Sequence, residues 1–454
     1  MDYKKIFKDK KITIMGLGLL GRGVGDARFL AERGAKVLVT DLKTKKELAK
    51  SLQQLKKYKN ITYVLGEHRK EDFKNKDFII KAAGVPLDSP HIKEAKKNKI
   101  PIKMDASWFV ELVEHFYGGG YITVIGITGT KGKSTVTHII YDMIRSSGKR
   151  VYLGGNVRGM ATLPLLNKVK KGDFIVLELD SWQLQGFGES KQSPHISVFT
   201  NFMPDHLNYY KENISRYFKD KANIFIYQKK DDVLICGNGI SKKIKTKSKK
   251  IVISKNFIPK HWKTIPGEHC KENIALTIAV GEILGIKKNI IKKTVENFKG
   301  VPGRLEFVRK SNGVMYYNDT TATMPEAVIS ALNTISTIYR TNKKKTNKEK
   351  NILLLAGGAD KMLSYKKLAR AIKENVNILI LFKGVATEKL KKELGKNIKI
   401  PTFEVKTMND AVMCAYANAE SGDTVLLSPG AASFGLFKNE FDRGDQFTKK
   451  VKQL

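Results

Sequence analysis

From residue 11 to residue 430 the chain repeats one pattern. A short run of strand-forming apolar residues is followed by a turn and then by a stretch of helical periodicity. KITIMGLG (11–18) reads as a buried strand leading into a helix that ends near residue 33, and KVLVTD (36–41), ITYVLG (61–66) and DFIIKAAG (77–84) continue the alternation. Runs that are apolar throughout mark strands covered on both faces, and the helical stretches between them are the crossovers that a parallel sheet needs. A second block opens at YITVIGITGT (121–130), with a helix over 134–148 and further strands at DFIVLELD (173–180) and HISVFTNF (195–202). A third starts near GVPGRLEFV (300–308) and continues through VMYYND (314–319), NILLLAGGAD (351–360), VNILILFK (376–383) and DTVLLSPG (423–430). The expected fold class is therefore α/β.

Two glycine loops punctuate this pattern. GLGLLG (16–21) stands between a strand and a helix, and Asp41 ends the next strand 20 residues past Gly21. That spacing is a dinucleotide fingerprint, with glycines letting the backbone approach a diphosphate at a helix start. It describes a phosphate cradle and says little about nicotinamide, so a dehydrogenase and a holder of another nucleotide both stay open. In GITGTKGKST (126–135) the residues Gly129, Thr130, Lys131, Gly132 and Lys133 join a buried strand to a helix. Backbone N–H groups there can wrap phosphate oxygens, Lys133 can reach the outer phosphates, and Ser134 or Thr135 can offer a hydroxyl to Mg²⁺. A P-loop of the usual form would have its first glycine at 127, but 127 is Ile and the glycine is at 126.

A length of 454 residues exceeds the roughly 250–300 at which single cores stop growing. Three domains are expected: a Rossmann-like N-terminal domain over 1–105, a central P-loop ATPase-type domain over 106–305 and a C-terminal Rossmann-like domain over 306–454. The three Cys, at 236, 270 and 414, have neither a C-x-x-C nor a paired spacing, which argues against a disulfide framework or a Cys-based zinc site. No apolar stretch is long enough to span a membrane. The stretch after the basic N-terminus is glycine-rich and runs into Arg22 without a small-residue cleavage site, so it reads as strand and turn and not as a signal peptide.

The net charge of +39 raises the question of nucleic acid, an anionic membrane or phosphorylated substrates. The excess is almost all Lys and is spread along the chain, whereas bidentate recognition of bases and phosphates favours Arg. The densest runs, 241–250 and 341–350, lack aromatic interleaving and read as solvated loops. No nucleic-acid partner is expected, although a basic nucleic-acid-binding ATPase stays as an alternative that salt-sensitive binding to single strands would expose.

The ordered motifs around the second loop decide more. GITGTKGKST resembles the ATP loop of the Mur ligase family, G-x-T-G-T-x-G-K-[ST], in which the first Gly is also one place early. VYLGGNVRG (151–159), LELDSWQL (177–184) and TNFMPDHLNYY (200–210) resemble that family's Gly-Gly-Asn, Glu-x-Ser-Ser-x-Gln-Leu and Asn-x-x-x-Asp-His-Leu-Asp segments, in the family's order. GEHCKEN (267–273), GVPGRLE (300–306), NDTTAT (318–323) and GGADK (357–361) follow, and LSPGAASFGLFKNEFDRGDQF (427–447) is similar to the tail of its D-glutamate-adding branch.

The resemblance implies ATP-driven amide formation in cytoplasmic peptidoglycan precursor synthesis. On that resemblance D-glutamate would be added to UDP-N-acetylmuramoyl-L-alanine through an acyl phosphate, and a monomer with no membrane span is expected. It implies that Gly18, Leu19, Leu20, Asp41, Leu42, Ala82 and Gly84 line the UDP site, and that Asn156 contacts the reacting groups. Lys133 and its loop, with Asn273, His269, Arg304 and Asp319, would hold ATP. Two Mg²⁺ ions would be met by Ser134, Glu178, His206 and Lys221, the last as a carbamate formed with CO₂. That chemistry needs a lysine whose pKa is lowered, as burial can do; Lys219 is the nearby competitor. Thr323, Lys361, Ser433 and Phe434 would hold the incoming glutamate.

The sequence departs from the pattern at four places. The usual Pro-His-Arg is Pro302-Gly303-Arg304, and Thr321 stands where Lys is usual. Asn208 replaces an Asp, and in 177–184 the departure is read at Trp182. The first two remove positive charge near the acyl acceptor and keep open a variant that adds L-glutamate or another amino acid. A diaminopimelate- or lysine-adding ligase would carry an Asp-Asn-Pro-Arg type motif, which is absent, and folylpolyglutamate synthetase lacks the C-terminal signature.

Overall fold

A computed structural model describes all residues except 1–3, 20, 119, 158, 206–208, 255–256, 258–267, 299, 342–349, 361–362, 396–397 and 434–435. The chain forms two compact units, one of Met1–Thr264 with Glu268–Glu296, the other chiefly Asn297–Leu454. Three sheets carry them, two parallel throughout and the third parallel except at one edge pair, the helix-covered kind that the apolar runs imply.

The first unit holds two sheets. The strands β1 (Lys11–Met15), β2 (Lys36–Asp41), β3 (Ile61–Leu65), β4 (Phe78–Lys81) and β5 (Ile102–Lys103) lie in the order β3-β2-β1-β4-β5, all parallel. The strand order reverses at β1, so the loop after it, 16–21, opens at a topological switch point, where such sheets bind ligands. β6 (Thr123–Thr128), β7 (Val151–Gly155), β8 (Phe174–Glu178), β9 (Ile196–Phe199), β10 (Val233–Gly237) and β11 (Lys249–Ile253) form a second parallel sheet in the order β11-β10-β9-β6-β8-β7. Here β6 is the switch strand, between β9 and β8, and the second glycine loop leaves its end.

The second unit carries β12 (Glu306–Ser311), β13 (Val314–Asn318), β14 (Ile352–Gly357), β15 (Val376–Phe382), β16 (Thr402–Val405) and β17 (Thr424–Leu427) in the order β12-β13-β17-β14-β15-β16. Only the β12–β13 pair is antiparallel. Every residue of β14, ILLLAG, is buried, as a central strand between two helix layers requires. Among the described residues no helix is long and apolar enough to cross a membrane.

Candidate active site

The second glycine loop turns on two glycines whose positive φ and close neighbours disfavour any side chain. Gly129 has φ 141°, and a Cβ there would lie 1.9 Å from the Thr200 hydroxyl; Gly132 has φ 84°, and a Cβ there would meet the Asn273 side-chain oxygen at 2.4 Å. Gly126 does a different job. It lies within β6, where a Cβ would strike Pro194 at 2.4 Å, so the early glycine serves strand packing and not phosphate approach.

Residues after β9 hold the loop open. Asn201 accepts from Thr130 N–H through its carbonyl and from Lys131 N–H through its side chain, both at 2.9 Å, and Thr200 donates to the Lys131 carbonyl at 2.6 Å. The N–H groups of Thr130 and Lys131 are thus already used. The helix Lys133–Ser146 begins at Gly132 with no described side chain capping it, and a helix start of that kind is suited to an anion. Thr200 and Asn201 are functional supports that reading from motifs missed; their only sequence signal is their place at the head of 200–210.

Two lysines meet on one carbonyl. Lys133 Nζ donates to the Gly129 and Thr130 carbonyls at 3.1 and 3.0 Å, and Lys221 Nζ donates to the same Gly129 carbonyl at 2.8 Å. Lys221 lies on the helix Ile214–Ala222 and is 1 % exposed. Burial first, and the Lys133 charge next, hold its pKa down to about 7. Lys219, on the same helix, is exposed. The structure thereby separates two candidates that the sequence leaves side by side.

Glu178 ends β8, paired in register with Ile127 of β6 and Gly155 of β7, and is buried. Its backbone carbonyl accepts from Asn156 N–H at 2.7 Å, and the Asn156 side-chain oxygen accepts from Arg22 at 2.7 Å. Arg22 opens the helix that follows the first glycine loop. Asn156 therefore links the end of β8 to the helix that follows the first glycine loop. Ser134 is 8 % exposed at the helix start.

At the first loop, Leu19 and Leu42 are exposed, Gly84 is exposed and Ala82 is half-buried. Asp41 is turned inward. Its carboxylate accepts from Gly18 N–H and Lys43 N–H, both at 2.9 Å, so it shapes the loop itself. Asn273, expected near the adenine, packs its amide against Gly132 of the phosphate loop. His206, Leu20, Lys361 and Phe434 lie outside the described residues, and nothing is described of the His269 side chain.

The departure read at Trp182 falls elsewhere. Counted from Glu178, the pattern's two Ser positions are Asp180 and Ser181, and Trp182 takes the variable place. Asp180 caps the helix Ser181–Glu189, accepting from Gln183 N–H at 2.8 Å while Gln183 accepts from Asp180 N–H at 3.2 Å. Asp caps as well as Ser does, so the exchange keeps the helix start and adds a charge.

In the second unit, loops after β13, β14 and β17 converge. Asp319 N–H bonds the Leu427 carbonyl, Gly430 N–H the Ala322 carbonyl and Gly357 N–H the Pro429 carbonyl, each at 2.8 Å. Thr323 and the buried Ser433 belong to this cluster. Arg443 is fully buried beneath it and donates to the Thr320 carbonyl at 2.9 Å and the Ala431 carbonyl at 3.3 Å. Asp319 accepts from Leu305 N–H at 3.1 Å and from the Ser428 hydroxyl at 2.7 Å, and burial pushes its pKa up to about 7. Its neighbour in the expected set, Arg304, is exposed.

Comparison with known proteins matches the chain along most of its length. Residues 10–103 match the Mur ligase MurD-like N-terminal domain, 127–290 the Mur ligase middle domain and 303–430 the Mur ligase glutamate ligase domain. The chain is 36 % identical over 471 residues to the UDP-N-acetylmuramoylalanine--D-glutamate ligase of Borreliella burgdorferi, covering 98 % of each. It is 34 % identical over 489 residues to the protein of that name from Roseiflexus sp., covering 98 % of this chain and 99 % of that one. Its fold is similar to that of the UDP-N-acetylmuramate-alanine ligase of Thermotoga maritima, with a TM-score of 0.60 at 18 % identity over 98 % of this chain and 99 % of that one. With matched domains along most of its length and relatives that align nearly end to end, the chain belongs to the Mur ligase family.

Proposed function

We propose that the protein is an ATP-dependent ligase that joins D-glutamate to UDP-N-acetylmuramoyl-L-alanine, a step of peptidoglycan precursor synthesis. The observation that carries this reading is the alignment, over 98 % of both chains, with relatives bearing the name of that ligase. The phosphate loop, with two lysines on the Gly129 carbonyl, supports the use of ATP.

A carboxylate is a poor acyl donor because oxide would have to leave. Attack of the substrate carboxylate on the γ-phosphorus of ATP releases ADP and forms an acyl phosphate. The amine of glutamate then attacks the acyl carbon, phosphate leaves with the former carboxylate oxygen, and the nitrogen loses a proton. Positioning and charge neutralisation carry such chemistry. Lys133 and the first-turn N–H groups of its helix are suited to the phosphates, Asn156 to the acyl end, and Thr323, Lys361, Ser433 and Phe434 to glutamate. Arg304 and Asp319 are assigned to ATP, and Gly18, Leu19, Leu20, Asp41, Leu42, Ala82 and Gly84 to UDP. The domains 1–105, 106–305 and 306–454 would serve UDP, ATP and amino acid in turn.

The donors fit Mg²⁺. Glu178 offers a hard carboxylate oxygen at a buried strand end, Ser134 a hydroxyl, and Lys221 an amine kept neutral enough by burial to take up CO₂ as a carbamate. Bound there, Mg²⁺ would screen the phosphate charges. His206 completes the proposed set. Because the reaction consumes ATP and a nucleotide-activated precursor, a cytoplasmic location is proposed, with a monomer as the working unit.

The experiment offers UDP-N-acetylmuramoyl-L-alanine, ATP and Mg²⁺ with single amino acids in turn, and follows phosphate release and product mass. D-glutamate is expected to turn over fastest. A second reading, another acidic amino acid such as L-glutamate, is motivated by Gly303 and Thr321 and wins if that amino acid is preferred. No turnover with any amino acid would sink the ligase assignment.

A further inference from the structure

Lys81 ends β4 and is 1 % exposed, yet the chemistry proposed above gives it no role. Its Nζ donates to three carbonyls of the turn that follows, those of Ala82 and Ala83 at 3.3 Å and Val85 at 2.7 Å. The same turn is pinned from below by Ala82 N–H bonding the Met15 carbonyl at 2.9 Å. Ala82 in turn abuts the first glycine loop: a Cβ placed on Gly16 would lie 2.8 Å from the Ala82 Cβ. Loop and turn are thus closely packed, with the Lys81 ammonium bonded across the turn.

Lys81 also belongs to the seam between the first two sheets. Burial lowers its pKa to about 8, while Asp180, which caps the helix Ser181–Glu189, and then Asp220, on the helix Ile214–Ala222, favour its charged form; Glu189 does so too, and Lys96 opposes it. The seam is closely packed, with Lys96 and Glu189 paired at 2.9 Å and a Cβ on Gly186 placed 2.8 Å from the Met104 Cβ. A buried lysine in such a place costs desolvation that an apolar residue would not, and its bonds to three carbonyls of the turn offset part of that cost.

We propose that Lys81 is a positioning residue for the nucleotide end of the UDP-linked substrate: it holds the 82–85 turn against the first glycine loop, so that the two form a preset wall. This rests on the ligase reading for the identity of the substrate. Preorganisation of this kind strengthens substrate binding without touching the reacting atoms.

The test has two arms. In the unaltered enzyme, amide exchange of residues 82–85 is followed with UDP alone and with UDP-N-acetylmuramoyl-L-alanine. Slower exchange with both is expected, and unchanged exchange with both would overturn the proposal. This arm needs no turnover, so it reports on the turn as part of the nucleotide wall even if the amino-acid assignment fails. In the second arm, removing two or three carbonyl bonds in Lys81→Met should raise KM for the UDP substrate about tenfold, with kcat and KM for ATP held within about twofold. Lys81→Arg, which keeps a cation, should recover part of the loss. A fall in kcat with KM unchanged, or equal loss for both substrates, would refute the positioning role. Should Lys81→Met not fold, Lys81→Gln replaces it and is read by the same KM-against-kcat split, with the same outcomes.

Discussion

The Thr321 hydroxyl donates to the Gly303 carbonyl at 2.8 Å, and Thr321 N–H reaches the same oxygen at 3.0 Å. These are the two places where the family pattern has Lys and His, so the two departures form one local solution. Gly303 has φ 73°, and a Cβ there would lie 3.0 Å from the Thr320 methyl and 3.4 Å from that of Thr321. Gly303→His alone should destabilise the protein by about 1–2 kcal/mol, the cost of a left-handed backbone for a residue with a Cβ. Thr321→Val, which loses only the hydroxyl bond, should cost about 1 kcal/mol. Urea denaturation measures both, and a neutral Gly303→His would show that the turn relaxes freely.

Lys133→Ala removes the loop's own cation while leaving the glycine geometry intact. Loss of one preorganised group facing the transferred phosphoryl should lower kcat by about 10²–10³. Phosphate release at saturating ATP is the measurement, and full activity in the variant would refute the role given to the loop.

Lys221 and Lys219 are told apart by chemical rescue. Lys221→Ala should lose activity and regain part of it with added short carboxylates, which supply the anionic oxygens of a carbamate. Lys219→Ala, at an exposed position, should keep activity within about twofold, as surface substitutions usually do. Rescue of neither variant, with Lys219→Ala the more damaged, would reverse the assignment.

Asp319 makes stability depend on pH. Its folded pKa is raised to about 7 from the ordinary 3.8, mainly by burial, so between those values the folded chain binds more protons than the unfolded one. Its contribution is fully present below about 3.8 and is lost as pH rises through 7. Relative to Asp319→Asn, the unaltered protein should therefore lose stability between about pH 4.5 and 7.5. Parallel denaturation curves across that range would exclude the effect.

Asp180→Ser should leave the helix Ser181–Glu189 capped and change stability by no more than about 0.5 kcal/mol, whereas Asp180→Ala should cost about 1 kcal/mol. Thermal denaturation of the two variants distinguishes a capping role from a purely electrostatic one. Equal losses in both would mean that the charge, and not the cap, matters.

The α/β class, the three sheets and both glycine loops were legible in the sequence because their causes are local. Apolar runs, glycine at the turns and the strand–loop–helix spacing act between residues that are neighbours in the chain. Ordered motifs carried the family as well, down to Glu178 and the 126–135 loop. Tertiary structure alone decided what individual side chains meet. It buried Lys221 and exposed Lys219, two positions apart on one helix; it turned the Asp41 and Asp319 carboxylates onto backbone N–H groups; and it set the Asn273 amide against Gly132. It also drew Thr200, Asn201 and Arg443 into support of loops far from them in sequence. A side chain's desolvation and its hydrogen-bond partners depend on segments tens to hundreds of residues away, and no local pattern carries that information.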